Sequence, residues 1–215
     1  MRTIRSGSIL AGAFLLTACI AGESTYPSTA PSKTDDLTSV FVAGDSLSHG
    51  MFASSEQHSF VDLVLSNSAP AELTLVSQPS GTLQAVASTI DVPTGVDVAI
   101  VELGTNDVEK GASDEEFGRD YESLLSAIRD ASPNAKIVCT GTWTGWGWTH
   151  DEAIRKACVD VGGAYVHLRD LFNTDPYRGP AGQDTFLGMS DEFHPNDAGH
   201  AAIARRINDA LASLR

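Results

Sequence analysis

Residues 40–47 read Val40-Phe41-Val42-Ala43-Gly44-Asp45-Ser46-Leu47, so that four apolar residues in succession pass directly into a polar turn. A continuous apolar run, in contrast to an alternating one, is typical of a strand that is covered on both faces in a parallel sheet. Four more short apolar runs follow, at residues 73–76, 98–101, 137–139 and 164–166. The sequence therefore predicts five strands of one parallel sheet.

Amphipathic segments separate these runs and predict helices. The clearest carries its apolar residues at i, i+4, i+7, i+8 and i+11, namely Phe117, Tyr121, Leu124, Leu125 and Ile128. Ser113 and Glu116 form a capping box at its start, and Pro133 marks its end. The last helix has on one face Ile203, Ile207, Leu211 and Leu214. This alternation predicts an α/β fold, a three-layer αβα sandwich of flavodoxin-like type over residues 37–215.

Polar, glycine-containing segments follow the predicted strands. They are Gly44-Asp45-Ser46-Leu47 after the first strand, Ser80-Gly81 after the second, Gly104-Thr105-Asn106-Asp107 after the third and residues 143–148 after the fourth. In an open parallel sheet, ligands bind in the loops beyond the carboxyl ends of the strands. The fold prediction therefore gathers these four segments at one edge of the sheet.

Ser46 needs a base to act as a nucleophile, because a serine hydroxyl reacts slowly until a neighbouring group takes its proton. His194 is the candidate base, since Asp191 lies three residues before it in Asp191-Glu192-Phe193-His194-Pro195. A carboxylate at this offset, in a turn leading into a helix, can accept the Nδ1 proton and leave Nε2 as the base. Pro195 suits the first turn of that helix, where an N–H has no partner.

Four sequence blocks together resemble the SGNH, or GDSL, hydrolase family, and these blocks are Gly44-Asp45-Ser46-Leu47, Gly81, Gly104-Thr105-Asn106-Asp107 and Asp191-Glu192-Phe193-His194-Pro195. The resemblance implies a hydrolase that needs no cofactor or metal ion. It implies that Ser46 is the nucleophile, His194 the general base and Asp191 the residue that orients it. The oxyanion hole would consist of the backbone N–H groups of Ser46 and Gly81 with the side-chain amide of Asn106. Ser46 does not lie in a Gly-x-Ser-x-Gly sequence, which disfavours the nucleophile-elbow hydrolases.

The predicted activity is that of a serine esterase, which forms an acyl-enzyme at Ser46 and releases the acid with water. Acyl transfer remains an alternative, because it proceeds through the same acyl-enzyme. A catalytically silent surface-binding protein on the same fold is a second alternative. A metallophosphoesterase is a third, suggested by Gly44-Asp45, His49-Gly50 and Asn106-Asp107, although two metal ions require several more ligands. The sequence leaves open the natural ester, from a small molecule or a polysaccharide, and the oligomeric state.

All three tryptophans of the chain lie in Trp143-Thr144-Gly145-Trp146-Gly147-Trp148. Large aromatic faces bind apolar groups and sugar rings, so Trp143, Trp146 and Trp148 are candidate substrate-binding residues. The alternative is that they pack down as a hydrophobic lid. The two glycines between them favour a compact loop. A compact aromatic wall leaves a small pocket, which predicts acetyl or other short acyl groups.

The first residues of the chain carry the features of an export signal. Arg2 and Arg5 precede a mostly apolar run at residues 9–18, which is too short to span a bilayer as a stable helix. Leu16-Thr17-Ala18-Cys19 resembles a bacterial lipobox, which implies a signal peptide at 1–18 and a lipidated Cys19. In residues 20–36, eight of the seventeen are Ser, Thr or Pro, which predicts a flexible tether over 19–36. The protein is therefore expected at the bacterial cell surface, lipid-anchored, or else secreted.

The net charge limits the classes of binding partner, and the cysteines raise the question of a disulfide. Asp and Glu number 28 against 14 Lys and Arg, a net charge of −14. A surface this negative repels phosphate backbones and anionic membranes, so nucleic-acid binding is disfavoured and membrane contact is expected only through the anchor. Within the predicted domain, Cys139 and Cys158 can form one disulfide or remain buried thiols, and the sequence does not choose between them.

Overall fold

The computed structural model describes residues 39–66 and 71–214. Its central sheet has five parallel strands, which are β1 (Ser39–Gly44), β2 (Glu72–Ser77), β3 (Val98–Glu102), β4 (Lys136–Thr140) and β5 (Ala164–Val166). They lie in the order β2-β1-β3-β4-β5. In the register of β1, Val42 pairs with Leu75 on one side and with Ile100 on the other. All five predicted strands are confirmed.

Helices connect the strands and form the outer layers. They are α1 (Phe60–Leu65), α2 (Leu83–Ala87), α3 (Thr105–Lys110), α4 (Asp114–Ala131), α5 (Trp148–Asp160), α6 (Arg169–Phe172) and α7 (Asp197–Ser213). Short 3₁₀ turns occur at Glu56–His58 and Asp175–Tyr177. A small antiparallel hairpin, β6 (Asp184–Thr185) and β7 (Gly188–Met189), precedes α7.

Each face of the sheet packs against its own set of helices, because successive side chains of a strand point to opposite faces. Val42 and Ile100 belong to a core with α1 and α7, and Phe41 and Val101 to a core with α2, α4 and α5. Burial on both faces explains why the strands read as continuous apolar runs. The three-layer α/β fold predicted from the sequence is thereby confirmed.

The predicted helix boundaries hold at α4 and need a correction at α7. At α4, the side chain of Ser113 accepts a hydrogen bond from the N–H of Glu116, and the five predicted apolar residues are all buried. At α7, the side chain of Asn196 caps the helix by accepting from the N–H of Gly199, so the helix begins at Asp197. Pro195 therefore lies before the cap and pairs with Arg178 in an isolated β-bridge. Asn is a strong N-cap, which explains why the helix starts after it.

A disulfide between Cys139 and Cys158 joins β4 to α5 across 19 residues of sequence. Cys139 and Cys158 are therefore paired and are not the buried free thiols that the sequence also allowed. The signal peptide at 1–18, the lipidation site Cys19 and the tether at 19–36 lie outside the described residues. Within residues 39–66 and 71–214, no helix is both long enough and apolar enough to cross a membrane.

Candidate active site

The predicted site residues come together at the carboxyl edge of the sheet. Ser46 follows β1, Gly81 follows β2, Asn106 lies in the first turn of α3 directly after β3, and the tryptophan segment follows β4. Because all five strands are parallel, their carboxyl ends meet at this one edge. His194 reaches the same place from the segment that precedes α7.

Ser46, His194 and Asp191 form one chain of hydrogen bonds. The His194 Nε2 lies 3.0 Å from the Ser46 Oγ, and the His194 Nδ1 lies 2.8 Å from the Asp191 Oδ2. A carboxylate can only accept from Nδ1, which leaves Nε2 free to accept the serine proton. The arrangement can therefore activate the hydroxyl of Ser46 for attack on a carbonyl carbon.

The carboxylate of Asp191 is fixed by its own turn. Its Oδ1 accepts hydrogen bonds from the backbone N–H groups of Phe193 and His194, both at 2.8 Å. Partial burial is the largest single influence and opposes ionisation, yet the hydrogen bonds from His194 and Phe193 together hold the pKa of Asp191 below its usual value. Asp191 is therefore ionised at neutral pH and can stabilise a positively charged imidazole.

The turn that carries Ser46 rests on a buried carboxyl group that the sequence analysis did not identify. One oxygen of Glu102 accepts from the N–H groups of Asp45 and Ser48, at 3.3 and 3.1 Å, and from the Ser48 hydroxyl, at 2.8 Å. Gly44 is required at the start of this turn, since a Cβ there would lie 1.8 Å from the Ser48 Oγ. The sequence does contain a signal, because an acidic residue ends an otherwise apolar strand. The spacing of the apolar residues does not show what role such a residue has.

Two acidic side chains below Ser46 have raised pKa values. Burial raises the pKa of Asp45 to about 7, although hydrogen bonds from Leu47 and Ser46 act in the opposite direction. Burial, together with the nearby Asp45 carboxylate, raises the pKa of Glu102 well above its usual range. Burial therefore favours the neutral form of both carboxyl groups, which limits the negative charge next to Ser46.

The predicted oxyanion-hole residues are brought side by side, and two of them have partners within the protein. The Asn106 side-chain amide donates to the Asp45 Oδ2 at 2.9 Å and to the Gly81 carbonyl at 3.0 Å. The Gly81 N–H donates to the Gln78 carbonyl at 2.8 Å in a tight turn. A Cβ on Gly81 would lie 2.7 Å from Val86 and 2.8 Å from that carbonyl, so only glycine fits. An oxyanion bound here must share or replace these internal acceptors.

The tryptophans separate into one core residue and two surface residues. Trp143 is fully buried, its backbone N–H donates to the Thr105 hydroxyl, and its indole N–H donates to the Phe193 carbonyl at 2.8 Å. The prediction that Trp143 lines a substrate pocket is therefore wrong, because its ring fills the core while its N–H fixes the residue next to His194. Trp146 is 55% exposed and Trp148 65% exposed, and their role in substrate binding stays a prediction.

The residues that suggested a metal site do not converge on one. His49 is exposed and its Nδ1 lies 3.0 Å from the Ser77 hydroxyl. The Asp107 carboxylate accepts from the N–H of Leu83 at 2.9 Å. In the part of the chain that the structure describes, no group of three or more His, Cys, Asp or Glu side chains is placed to hold a metal ion.

Comparisons with known proteins point to one family. The model of the GDSL-like lipase/acylhydrolase family matches residues 42–202. The uncharacterized protein YpmR of Bacillus subtilis (strain 168) is 23% identical over 112 residues, a match that covers 44% of this chain and only 40% of that protein.

Two solved structures share the fold at low sequence identity. One is a Corynascus thermopiles (Myceliophthora fergusii) carbohydrate esterase family 2 enzyme with a carbohydrate-binding domain, at a TM-score of 0.65 and 15% identity, covering 86% of this chain and 68% of that one. The other is phospholipase A1 from Streptomyces albidoflavus NA297, at a TM-score of 0.64 and 16% identity, covering 83% of this chain and 100% of that one.

Proposed function

The chain belongs to the GDSL-like lipase/acylhydrolase family, and we propose that it is a serine esterase that hydrolyses carboxylic esters through an acyl-enzyme on Ser46. The observation that carries this proposal is the hydrogen-bond chain from the Ser46 Oγ through His194 to Asp191. A hydroxyl, an imidazole and a carboxylate in this order form an arrangement that supports nucleophilic attack with proton transfer.

The reaction follows from the positions of these atoms. As the Ser46 Oγ bonds to the ester carbonyl carbon, its proton passes to the His194 Nε2 and the carbonyl oxygen becomes an oxyanion. The tetrahedral intermediate then expels the alcohol, which takes the proton from Nε2. Water next gives a proton to Nε2 and attacks the acyl-enzyme, and collapse of the second intermediate releases the acid and regenerates Ser46.

The oxyanion is proposed to be held by the N–H groups of Ser46 and Gly81 and by the Asn106 amide. The support for this assignment is that Asn106 and Gly81 are already in hydrogen-bond contact beside Ser46. Hydrogen-bond donors that face the oxyanion stabilise the charge that develops in the transition state. In the free protein the Gly81 N–H donates to Gln78, and the Asn106 amide donates to Asp45 and to the Gly81 carbonyl, so these donors have to share or exchange acceptors as the charge develops.

The preferred substrates are proposed to be esters of acetyl or other short acyl groups. The exposed rings of Trp146, in the loop after β4, and of Trp148, the first residue of α5, offer aromatic faces that suit an acyl group or a sugar ring. The names of the two similar solved structures indicate different classes of ester, so they do not predict the acyl chain length that this protein prefers. The preferred length has to be measured. Hydrolysis of p-nitrophenyl esters of increasing length, beside release of acetate from an acetylated polysaccharide, makes the measurement. A profile that peaks at ten or more carbons contradicts the proposal.

The protein is proposed to be exported and anchored at the bacterial cell surface by lipid on Cys19, with free secretion as the alternative. The support is the lipobox-like sequence at residues 16–19 and the Cys139–Cys158 disulfide, since disulfides persist in oxidising compartments. Mass spectrometry of the mature N-terminus tests this, and an unmodified N-terminus on a freely secreted protein refutes the anchor.

The Ser46→Ala variant tests the proposed activity against its alternatives. With p-nitrophenyl acetate, kcat is expected to fall by several orders of magnitude, because no other group replaces the nucleophile. EDTA is expected to leave the wild-type rate unchanged, whereas a metallophosphoesterase loses activity. Full biological function in Ser46→Ala supports the silent binding protein. If added alcohols take the acyl group in preference to water, the activity is acyl transfer.

A further inference from the structure

The imidazole of His194 lies between two aromatic rings. The ring of Phe52 packs edge-on against it, with 4.9 Å between centroids and an angle of 90°, and the ring of Phe193 does the same at 5.2 Å and 82°. The His194 side chain is only 16% exposed, whereas its partner Asp191 is 44% exposed. The low exposure of the His194 imidazole is therefore due to neighbours other than the Asp191 carboxylate. The rings of Phe52 and Phe193 are in direct contact with the imidazole.

The Phe193 ring is supported from behind by the core. It packs against Phe172, which in turn packs against Trp143, and the Phe193 carbonyl accepts from the Trp143 indole N–H. Phe52 reaches His194 from a distant part of the chain, six residues after Ser46. A single loop therefore carries both the nucleophile and one of the rings that touch the base.

Phe52 occupies an unfavourable backbone conformation. Its φ is +61°, in the left-handed region. Bulky residues rarely adopt this conformation, and it costs free energy unless the surrounding structure enforces it. Such residues concentrate at functional sites. In this conformation the Phe52 ring lies against His194, so the unfavourable backbone conformation is accompanied by a contact with the candidate base.

Contacts on both sides of Phe52 hold this conformation in place. The Met51 carbonyl accepts from the His200 Nε2 at 3.1 Å, and the Ala53 carbonyl accepts from the Phe186 N–H at 3.1 Å. Ser54 donates its N–H and its hydroxyl to the Asp197 carboxylate, at 2.8 and 2.6 Å. The segment is thus fixed to α7 at two points and to the β6–β7 hairpin at one.

Hydrogen bonds alone hold the imidazole weakly at one stage of the proposed reaction. In the free enzyme, His194 is held at Nδ1 by Asp191 and at Nε2 by Ser46. In an acyl-enzyme, the Ser46 oxygen has no proton, so the second hydrogen bond is lost. Of the contacts that His194 makes within residues 39–66 and 71–214, those with the half-exposed Asp191 and with the two rings then remain to fix the plane of the imidazole while Nε2 activates water.

We propose that Phe52 is a positioning residue, whose ring holds the His194 imidazole in its productive orientation and matters most during deacylation. The proposal rests on the proposed function, since it assigns Phe52 a part in the same reaction. It predicts that loss of the ring slows hydrolysis of the acyl-enzyme more than its formation.

Two substitutions at one position separate the ring from the backbone. Phe52→Gly removes the ring and relieves the positive φ, since glycine adopts it freely. This relief opposes the loss of the ring's packing and the greater freedom of glycine in the unfolded chain, so only a small change in melting temperature is expected. Phe52→Tyr keeps the ring. Phe186→Ala is the matched control. Phe186 is a 45% exposed aromatic residue of the β6–β7 hairpin, and its ring lies near Gly50, two residues before Phe52.

Stopped-flow hydrolysis of p-nitrophenyl acetate provides the readout. In Phe52→Gly we expect kcat to fall about 10- to 100-fold, the scale of loss when a catalytic group is slightly misplaced. The ratio kcat/KM, which reports acylation, is expected to fall less, and the initial burst of p-nitrophenol is expected to grow as acyl-enzyme accumulates. Phe52→Tyr and Phe186→Ala are expected to keep kcat near that of wild type, because the first keeps the ring and the second changes a 45% exposed side chain.

Each contrary outcome has a distinct meaning. A wild-type kcat in Phe52→Gly, equal losses in kcat and kcat/KM without a larger burst, or failure of Phe52→Tyr to preserve activity overturns the positioning role. A large fall in melting temperature, with kcat and kcat/KM reduced by the same factor, assigns Phe52 to general packing and also overturns it. Wild-type protein that neither hydrolyses esters nor forms an acyl-enzyme overturns the proposed function itself.

Discussion

At the scale of single residues, Asp191 is held in a way that makes its replacement by asparagine informative. The N–H groups of Phe193 and His194 both donate to its Oδ1. In Asp191→Asn, the amide oxygen should keep this place, and the amide NH₂ then faces the His194 Nδ1. A donor there forces the proton onto Nε2, so the imidazole cannot accept from Ser46. We expect kcat to fall by about 10⁴-fold, as for the same change in a serine protease triad.

The assay for Asp191→Asn is steady-state hydrolysis of p-nitrophenyl acetate, with the thermal unfolding curve as the control for folding. A well-folded Asp191→Asn variant that retains wild-type kcat contradicts the assignment of Asp191 as the orienting residue.

Trp143 has a structural role that a conservative substitution isolates. Trp143→Phe keeps a large apolar ring but removes the N–H that satisfies the Phe193 carbonyl. An unsatisfied buried polar group costs about 1–3 kcal/mol of stability, and the smaller ring adds to this. Trp148→Ala, at an exposed position, is expected to change stability by no more than about 0.5 kcal/mol. Urea unfolding of both variants gives the comparison, and equal stability of the two contradicts the core assignment of Trp143.

At the scale of secondary-structure elements, His200 joins α7 to two other segments. Its Nδ1 accepts from the N–H of Phe60 at the start of α1, and its Nε2 donates to the Met51 carbonyl. The bond from Phe60 requires the neutral ring, because a protonated Nδ1 cannot accept a hydrogen bond. Burial is the main cause that lowers the pKa of His200 from 6.5 to about 4, despite the Met51 hydrogen bond and the Asp197 charge.

This lowered pKa gives stability a definite pH dependence. Between pH 6.5 and about 4, the unfolded chain binds a proton at His200 that the folded protein does not. Stability from this residue is therefore fully present above pH 6.5 and falls as the pH drops to about 4, by a total of about 3 kcal/mol. Asp45 and Glu102 have raised pKa values and act in the opposite direction. The difference between wild type and His200→Gln isolates the histidine.

Urea unfolding of both proteins at pH 7 and pH 4.5 makes the measurement. Wild type is expected to lose more stability on acidification than His200→Gln, in which position 200 does not titrate. An identical loss in the two proteins contradicts the buried neutral state of His200.

The disulfide closes the segment that contains the tryptophan loop. It joins β4 to α5 over 19 residues, and a loop of this length confines the unfolded chain by about 3 kcal/mol. Replacing Cys139 and Cys158 together by alanine is expected to lower the free energy of unfolding by about this amount, measured in urea, while hydrolysis persists. If alkylation of the denatured, unreduced wild type labels both residues, the disulfide is absent.

The elements that the sequence predicted well are those with local signals. The five strands followed from short apolar runs, and α4 followed from its spacing and from Ser113 at its start. The β6–β7 hairpin has only two residues in each strand, too few to show alternation. The start of α7 was misplaced because Pro195 and Asn196 are both favourable at a helix start, and only the hydrogen bond to Gly199 distinguishes them.

The site could be predicted in part for a similar reason. Ser46, His194 and Asp191 lie in short motifs whose chemistry is evident from their residue types. The burial of Trp143 and Glu102 could not be predicted, because it depends on how α6, α7 and the nucleophile turn meet across long separations in sequence. The positive φ of Phe52 is likewise imposed by contacts with α7 and the hairpin.

At the scale of the whole molecule, four separate segments meet at one edge of the sheet to assemble the candidate site. Ser46 follows the second strand in the sheet order, Gly81 and Asn106 flank it from the strands on either side, and His194 arrives from the segment before α7. The central claim is that this convergence produces one nucleophile, Ser46, activated by His194. An aryl or alkyl fluorophosphonate reports it directly, since it reacts much faster with an activated serine than with ordinary hydroxyl groups.

Mass spectrometry of the fluorophosphonate-treated protein, with the adduct mapped to its residue, is the decisive measurement. We expect one adduct per chain, located on Ser46, absent from Ser46→Ala and formed far more slowly in His194→Ala. An adduct on another residue, or ester hydrolysis that survives in Ser46→Ala at the wild-type rate, would contradict the account.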